Sequence, residues 1–132
     1  MYTMKEACNQ IGVTYETLRF YCNEGLVPNV KRDKNNYREF DEKDINWLKG
    51  LLCLRKCGMS LKDMKQYMDL CLKGPATISE RKLLLAKRKE LLLEKMKEVS
   101  ACIDFIDDKQ EFYDGVLSEK INYTSNLIDM AE

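Results

Sequence analysis

Residues 3–21 read TMKEACNQIGVTYETLRFY, and this stretch decides the fold of the N-terminal part of the chain. Helical patterns over 4–10 and 15–23 meet at a turn that contains Gly12, and Thr14 is suited to cap the second helix. Two short helices joined by a tight turn are typical of a helix-turn-helix motif. A helical hairpin with a polar face and no DNA role is the alternative. The second helix is expected to expose hydroxyl and guanidinium groups suited to DNA, carried by Tyr15, Thr17, Arg19 and Tyr21.

A change of pattern between Pro28 and Asp41 predicts a small β-hairpin. The sequence Asp-Lys-Asn-Asn at 33–36 favours a turn, and apolar and charged residues alternate on both sides of it. A basic hairpin after a helix-turn-helix is a winged arrangement, whose wing can hold phosphates beside the groove that the helix enters. A solvated basic loop is the alternative. Asp41 is predicted to cap the next helix, with Asp44 in its first turn. The basic side chains of the hairpin are Lys31, Arg32, Lys34 and Arg38.

Three further helices are predicted over 42–57, 61–72 and about 77–114. In the last of them apolar residues recur every seven positions with a second set between, which is a coiled-coil signature. Such a helix, on the order of 55 Å long, exceeds what residues 1–75 can cover. We therefore expect it to pair with a second copy by two-fold symmetry, rather than to lie on a large core of its own chain. The predicted dimerisation seam comprises Ile78, Leu85, Leu92, Met96, Val99, Ile103 and Ile106.

The predicted fold is mainly α, with three segments. Residues 1–75 form a winged helix-turn-helix domain with a small β-hairpin wing, and 76–114 form a long coiled-coil dimerisation helix. Residues 115–132 form a short tail that either folds as a small helix or is loose.

Composition excludes several function classes. Lys and Arg total 22 and Asp and Glu total 22, so a uniformly basic nucleic-acid coat is excluded, although a local basic face is not. The absence of histidine excludes histidine-based acid–base catalysis. No phosphate-binding glycine loop is present either, so an enzyme is not expected. Without a secretory signal or a membrane-spanning apolar run, the six scattered cysteines indicate reduced thiols in the cytoplasm and no membrane partner.

Several short motifs follow one another in a specific order. They are Met4-Lys5-Glu6-Ala7, Gly12-Val13-Thr14, Thr17-Leu18-Arg19-Phe20-Tyr21, Glu24-Gly25-Leu26-Val27-Pro28, Tyr37-Arg38-Glu39-Phe40-Asp41 and Gly58-Met59-Ser60-Leu61. This order resembles the DNA-binding domain of MerR-type transcription regulators, over essentially residues 1–114. One departure is Phe20, which replaces the first tyrosine of the family's Thr-Leu-Arg-Tyr-Tyr run.

The resemblance implies both partners and a mechanism. It implies a homodimer with antiparallel long helices, bound to double-stranded promoter DNA, which it twists and bends so that RNA polymerase can engage. It implies DNA contacts at Arg19, Tyr21, Tyr37 and Arg38. The geometry of the predicted motif adds Thr14, Tyr15, Thr17, Lys31 and Arg32. No cofactor is expected. Outside this class, the alternative is a dimeric coiled-coil adaptor with no DNA role.

The cysteines bear on the effector. Ser79 stands where the family's metal sensors carry a cysteine, and no cysteine follows Cys102, so no metal or iron–sulfur site is expected. Residues 45–60 resemble the aldehyde- and electrophile-responsive AdhR/NmlR-type regulators. In that branch a cysteine before a Leu-Arg pair is the sensor, and Cys53 occupies this position. Lys49 lies one turn before it, and nearby positive charge favours the reactive thiolate.

Alternatives to this sensor hypothesis stay open. Cys57, one helical turn on, and Cys71 are further thiols that could act with Cys53. Cys53 could instead be a buried core thiol, because leucines surround it in the sequence. Cys8, Cys22 and Cys102 are interpreted as packing residues. The alternative effector is a small molecule that binds non-covalently between the helices.

Overall fold

The computed structural model describes residues 1–130, in two compact units that divide between Arg88 and Lys89. The predicted fold class is confirmed: the chain is mainly helical, with one small hairpin and a long C-terminal helix. The elements are α1 (Met4–Ile11), α2 (Tyr15–Asn23), β1 (Lys31–Arg32), β2 (Arg38–Glu39), α3 (Glu42–Lys56), α4 (Leu61–Leu72), a single 3-10 turn (Pro75–Thr77) and α5 (Ile78–Leu117).

Side-chain caps define the two helices of the helix-turn-helix. The Thr3 hydroxyl accepts from the Glu6 backbone N–H, and the Glu6 carboxylate accepts from the Thr3 N–H, so α1 begins with a capping box. Gly12 ends α1 with φ of 72°, a left-handed conformation that favours glycine. The predicted cap of α2 is confirmed, because the Thr14 Oγ1 accepts from the Thr17 N–H at 3.2 Å.

The core of the first unit lies where α1, α2, α3 and the base of the hairpin meet. α1 packs against both α2 and α3. Truncation of a large apolar side chain in such a core costs about 2–5 kcal/mol. The largest fully buried side chains are Leu18, Tyr21, Leu26, Phe40, Ile45, Leu48, Leu51 and Met64.

The predicted hairpin is present and is held at both ends. Lys31 pairs with Glu39, and Arg32 pairs with Arg38, in antiparallel register. At the turn, the Asp33 carboxylate accepts from two backbone N–H groups, those of Asn35 and Tyr37. At the base, Tyr2 exchanges backbone hydrogen bonds with the buried Phe40. A two-stranded ribbon this short is marginal alone, so these anchors hold it in place.

Asp41 joins the hairpin to α3. Its carboxylate accepts from the Asp44 N–H at 2.8 Å, and the Asp44 carboxylate returns a bond to the Asp41 N–H, which confirms the predicted cap. Lys31 Nζ lies 2.9 Å from Asp41 Oδ2. This ammonium group, together with the Asp44 N–H, lowers the pKa of the Asp41 carboxyl from 3.8 to about 2.

Replacing Lys31 with glutamine should therefore raise the pKa of Asp41 toward 3.8, which carboxyl NMR titration can measure. Folding lowers the pKa of the Asp41 carboxyl, so its ionised form stabilises the folded state. This contribution to stability is present above about pH 4 and is lost as the pH falls toward 2. K31Q should lose that stability at less acidic pH than wild type. An unchanged Asp41 titration in K31Q would contradict the assignment.

The start of α5 is tied to α4, which extends the first unit beyond residue 75, where the sequence placed a boundary. The Thr77 hydroxyl donates to the Leu70 carbonyl, and Arg81 Nε donates to Thr77 Oγ1 at 3.0 Å. One turn further on, Leu84 packs against the core. Arg88 Nη2 lies 3.8 Å from an Asp63 carboxylate oxygen.

α5 has 40 residues, so it is about 60 Å long. None of its residues is buried, although its sequence is rich in leucine and isoleucine. The helix ends at Leu117, three residues later than predicted. Residues 118–130 contain no helix, so the small tail helix is absent from the described residues. None of the helices within residues 1–130 combines the length and the apolar character that a membrane span requires.

Candidate nucleic-acid interface

The exposed face of α2 presents polar side chains to solvent. Tyr15 is 55% exposed, and Arg19 lies exposed four residues later on the same face of the helix. Thr17 is half-buried and accepts a hydrogen bond from the Thr14 hydroxyl at 3.0 Å, which orients both groups at the start of α2. A helix N-terminus favours negative charge, so this end of α2 is suited to a backbone phosphate.

The prediction that α2 exposes Tyr21 is wrong. Tyr21 is 1% exposed, because it stands three residues after the buried Leu18 and shares the core face with it. Its hydroxyl accepts a hydrogen bond from Arg55 Nη1 at 2.8 Å, and the guanidinium carbon of Arg55 lies 5.7 Å from the ring centre. Tyr21 therefore fixes α2 against the end of α3.

Replacing Tyr21 with phenylalanine should lower stability by about 1–2 kcal/mol, because a partly buried hydrogen bond from a charged donor is lost. Chemical denaturation measures this change. At concentrations where the variant is fully folded, promoter affinity should stay within about twofold of wild type. A large loss of affinity with unchanged stability would instead make the hydroxyl a DNA contact.

The wing presents Tyr37 and holds its arginines in place. Tyr37 is 70% exposed at the tip. Arg32 Nη1 donates to the Asn36 carbonyl at 2.8 Å, and Arg38 Nη2 donates to Asn23 Oδ1 at 2.8 Å. The Arg38–Asn23 bond joins the wing to the last residue of α2.

α2 and the wing border one cleft of about 360 Å³. Tyr15 lines it from α2, and Tyr37 and Arg38 line it from the hairpin. A second cleft, of about 500 Å³, lies at the start of α2, where Thr14 and Thr17 meet Lys56 of α3. The structure thus brings the predicted contacts Tyr15, Tyr37 and Arg38 together at one cleft, and Thr14 and Thr17 together at another.

All six cysteines are free thiols, in different surroundings. Cys53 is exposed, so its interpretation as a buried core thiol is wrong for this chain. Lys49 and Lys56 are exposed at helical spacing on the same face of α3. Cys57 and Cys71 are half-buried, and Cys71 borders a separate cavity beside Trp47.

Cys8 is buried and Cys22 is half-buried. Burial raises the pKa of both thiols, which makes them less reactive. Cys102 lies exposed on α5 in the single chain, so its interpretation as a packing residue stays a prediction. Among residues 1–130, no three His, Cys, Asp or Glu side chains lie close enough together to hold a metal ion.

Comparison with known families decides the identity. The family model described as "MerR HTH family regulatory protein" matches residues 2–71. The chain belongs to the MerR family. It is therefore a transcriptional regulator and not an enzyme.

Individual MerR relatives extend the match along the chain. An uncharacterized HTH-type transcriptional regulator of Haemophilus influenzae is 40% identical over 112 residues, which cover 85% of this chain and 83% of the relative. The regulator AdhR of Bacillus subtilis is 39% identical over 67% of this chain and 64% of its own length. HiNmlR, a MerR family regulator lacking the sensor domain whose crystal structure is bound to promoter DNA, aligns with a TM-score of 0.80. It is 36% identical, over 93% of this chain and 96% of HiNmlR. These matches are consistent with the AdhR/NmlR-type branch.

Three residues of this MerR regulator were missed as site residues. Arg55 and Asn23 bond to the predicted contacts Tyr21 and Arg38, and Lys56 borders the start of α2. The Leu-Arg pair in the sequence marked the position of Arg55 but not its role. No sequence signal pointed to Asn23, because its partner is 15 residues away and the turn between them sets their distance.

Proposed function

We propose that this MerR-family regulator binds promoter DNA with α2 in the major groove and the hairpin on the adjacent backbone. The shared cleft between α2 and the wing carries the proposal, since a helix and a wing on one side can contact one duplex together. Tyr21 is left out because it is buried. The proposed contacts are Thr14, Tyr15, Thr17, Arg19, Lys31, Arg32, Tyr37 and Arg38.

We propose that α5 pairs with a second copy as a coiled coil. The seam residues are 37–63% exposed in the single chain, from Leu85 at the lower limit to Met96 at the upper. Apolar side chains at heptad spacing along about 40 Å of helix, from Ile78 to Ile106, would bury this surface against a partner helix. A two-fold dimer also presents two copies of α2, as a pseudo-palindromic promoter requires.

Promoter distortion is the proposed mode of control. HiNmlR is bound to promoter DNA, and we transfer that partner to this chain. A dimer with two DNA-bound shapes can change how well RNA polymerase engages promoter elements, because the energy of twisting and bending DNA is part of the binding energy. An effector then needs to favour one shape over the other.

The proposed effector is an aldehyde or another electrophile that reacts with Cys53. Cys53 is exposed, and the ammonium groups of Lys49 and Lys56 share its helix face. With an aldehyde, the sulfur bonds to the carbonyl carbon, the carbonyl π bond breaks and the thiol proton ends on the oxygen. The resemblance of residues 45–60 to AdhR/NmlR-type regulators supports this choice.

The test is in vitro transcription from the promoter upstream of the protein's own gene, with and without methylglyoxal. Wild type should respond several-fold, Cys53→Ala should not respond, and Cys102→Ala should respond like wild type because Cys102 is an exposed thiol on α5. An equal response of C53A and wild type would contradict sensing by Cys53. A salt-sensitive mobility shift on the same promoter would exclude an adaptor without a DNA role.

A non-covalent effector is the second candidate. The observation that favours it is an apolar cavity beside Trp47, which lies apart from Cys53.

A further inference from the structure

A cavity of about 130 Å³ lies between α3, α4 and the segment that leads into the hairpin. This volume is close to that of an engineered protein cavity of about 150 Å³ that binds benzene. Trp47, Met68 and Leu72 form its apolar walls, with Pro28 and Cys71 at the sides. A molecule of about six carbon atoms matches that space.

The Trp47 wall is rigid. The indole Nε1 donates to the Leu26 carbonyl at 2.7 Å, and the ring stacks on Tyr67 with an interplanar angle of 7° and a centroid distance of 6.4 Å. A wall fixed on two sides loses little entropy when a ligand binds.

The mouth of the cavity is polar and close to neutral. Lys43 supplies an exposed ammonium group as the hydrogen-bond donor, and the lining also holds the buried carboxylate of Asp44, which lies 3.8 Å from Lys31 Nζ. Burial raises the pKa of Asp44. Nearby opposite charges favour a neutral ligand with a single acceptor oxygen over a carboxylate, whose own charge would face Asp44.

The cavity also lies between the segment that leads into the wing and the end of α4. Pro28 and Asn29 lead directly into β1, while Cys71 and Leu72 end α4. The end of α4 is tied through Thr77 to the first turns of α5. A ligand here would contact the residues that lead into the wing and the end of α4.

We propose that this cavity is an effector site for a small neutral molecule with a six-carbon apolar body and one hydrogen-bonding oxygen. Occupancy ties the root of the wing to the end of α4 and so favours one DNA-bound shape. This regulatory consequence rests on the proposed function, whereas occupancy of the cavity does not.

The test uses the full chain and its single tryptophan, Trp47. Cyclohexanol is the probe, with cyclohexanecarboxylate as the charged control of similar size. Cyclohexanol should shift the Trp47 emission to shorter wavelength as water leaves the wall, with a Kd of about 1 mM. Cyclohexanecarboxylate should give no saturable shift at tenfold higher concentration. An absent cyclohexanol shift, or equal binding of both probes, would overturn the proposal.

Two variants locate the site. Cys71→Leu adds apolar volume to the wall and should abolish the shift, while Cys102→Leu, the same change on exposed α5, should retain it. Lys43→Met removes an exposed donor without filling the cavity, so it stays informative even if C71L folds poorly. It should weaken cyclohexanol binding about tenfold. Wild-type affinity in K43M would overturn the assigned donor and with it the site.

Promoter binding separates the two proposals. Cyclohexanol at 10 mM should change the promoter affinity of wild type and of C102L at least threefold, and leave K43M much less affected. A fluorescence shift in a protein that binds no promoter would contradict the proposed function and leave the cavity assigned. Promoter binding without any fluorescence shift would contradict the cavity proposal and leave the proposed function intact.

Discussion

Replacing Arg19 with alanine should weaken promoter binding by at least about thirtyfold. Arg19 is exposed on the same face of α2 as Tyr15, one helical turn further along. A guanidinium group in this position can pair with a guanine edge or a phosphate. Each lost contact of this kind costs about 1–3 kcal/mol, and the proposed dimer loses two. A mobility-shift titration at fixed salt measures the change, and a salt series shows whether the lost contact was to phosphate.

The matched control is Lys62→Ala, which removes an exposed cation from the first turn of α4, outside the cleft between α2 and the wing. It should bind within about twofold of wild type. If R19A and K62A lost affinity equally, the effect would come from net charge and the proposed placement of α2 in the groove would be wrong.

Replacing Val99 with glutamate should convert the proposed dimer to a monomer at micromolar concentration. Val99 is 51% exposed on the seam of α5, and a coiled coil would bury it against the partner helix. Burying an unpaired carboxylate costs several kcal/mol, and the two-fold axis imposes that cost twice. Light scattering after size exclusion gives the mass directly.

Ser100→Glu introduces the same charge one residue later, about 100° around the helix and off the seam. It should remain a dimer. Loss of the dimer in S100E but not in V99E would place the interface on another face of α5. V99E should also lose most promoter affinity, because one α2 can then contact only one half-site.

Local chemistry made most of the fold predictable. Thr14 and Asp41 are caps because a short side-chain oxygen can reach an orphan N–H at the start of a helix, and this depends on neighbours within three residues. The hairpin was predictable for the same reason, since its turn is built by Asp33 and residues within four positions of it.

Contacts between distant residues made the rest unpredictable. The sequence shows that Tyr21 is polar at one end, but not that Arg55, 34 residues away, reaches its hydroxyl in the core. Similarly, the leucines around Cys53 suggested burial, but they face the core from other sides of α3 and leave the thiol exposed. Burial depends on which helix face meets the core, and a run of apolar residues does not specify this face.

The pairing of Tyr2 with Phe40 has a practical consequence for handling the protein. Since the second residue is locked to the hairpin, any residues added ahead of Met1 must emerge at the cleft that Met1 shares with Tyr15 and Tyr37. An N-terminal purification tag would therefore crowd the surface proposed to meet DNA, and it could mimic a loss of operator affinity in every variant.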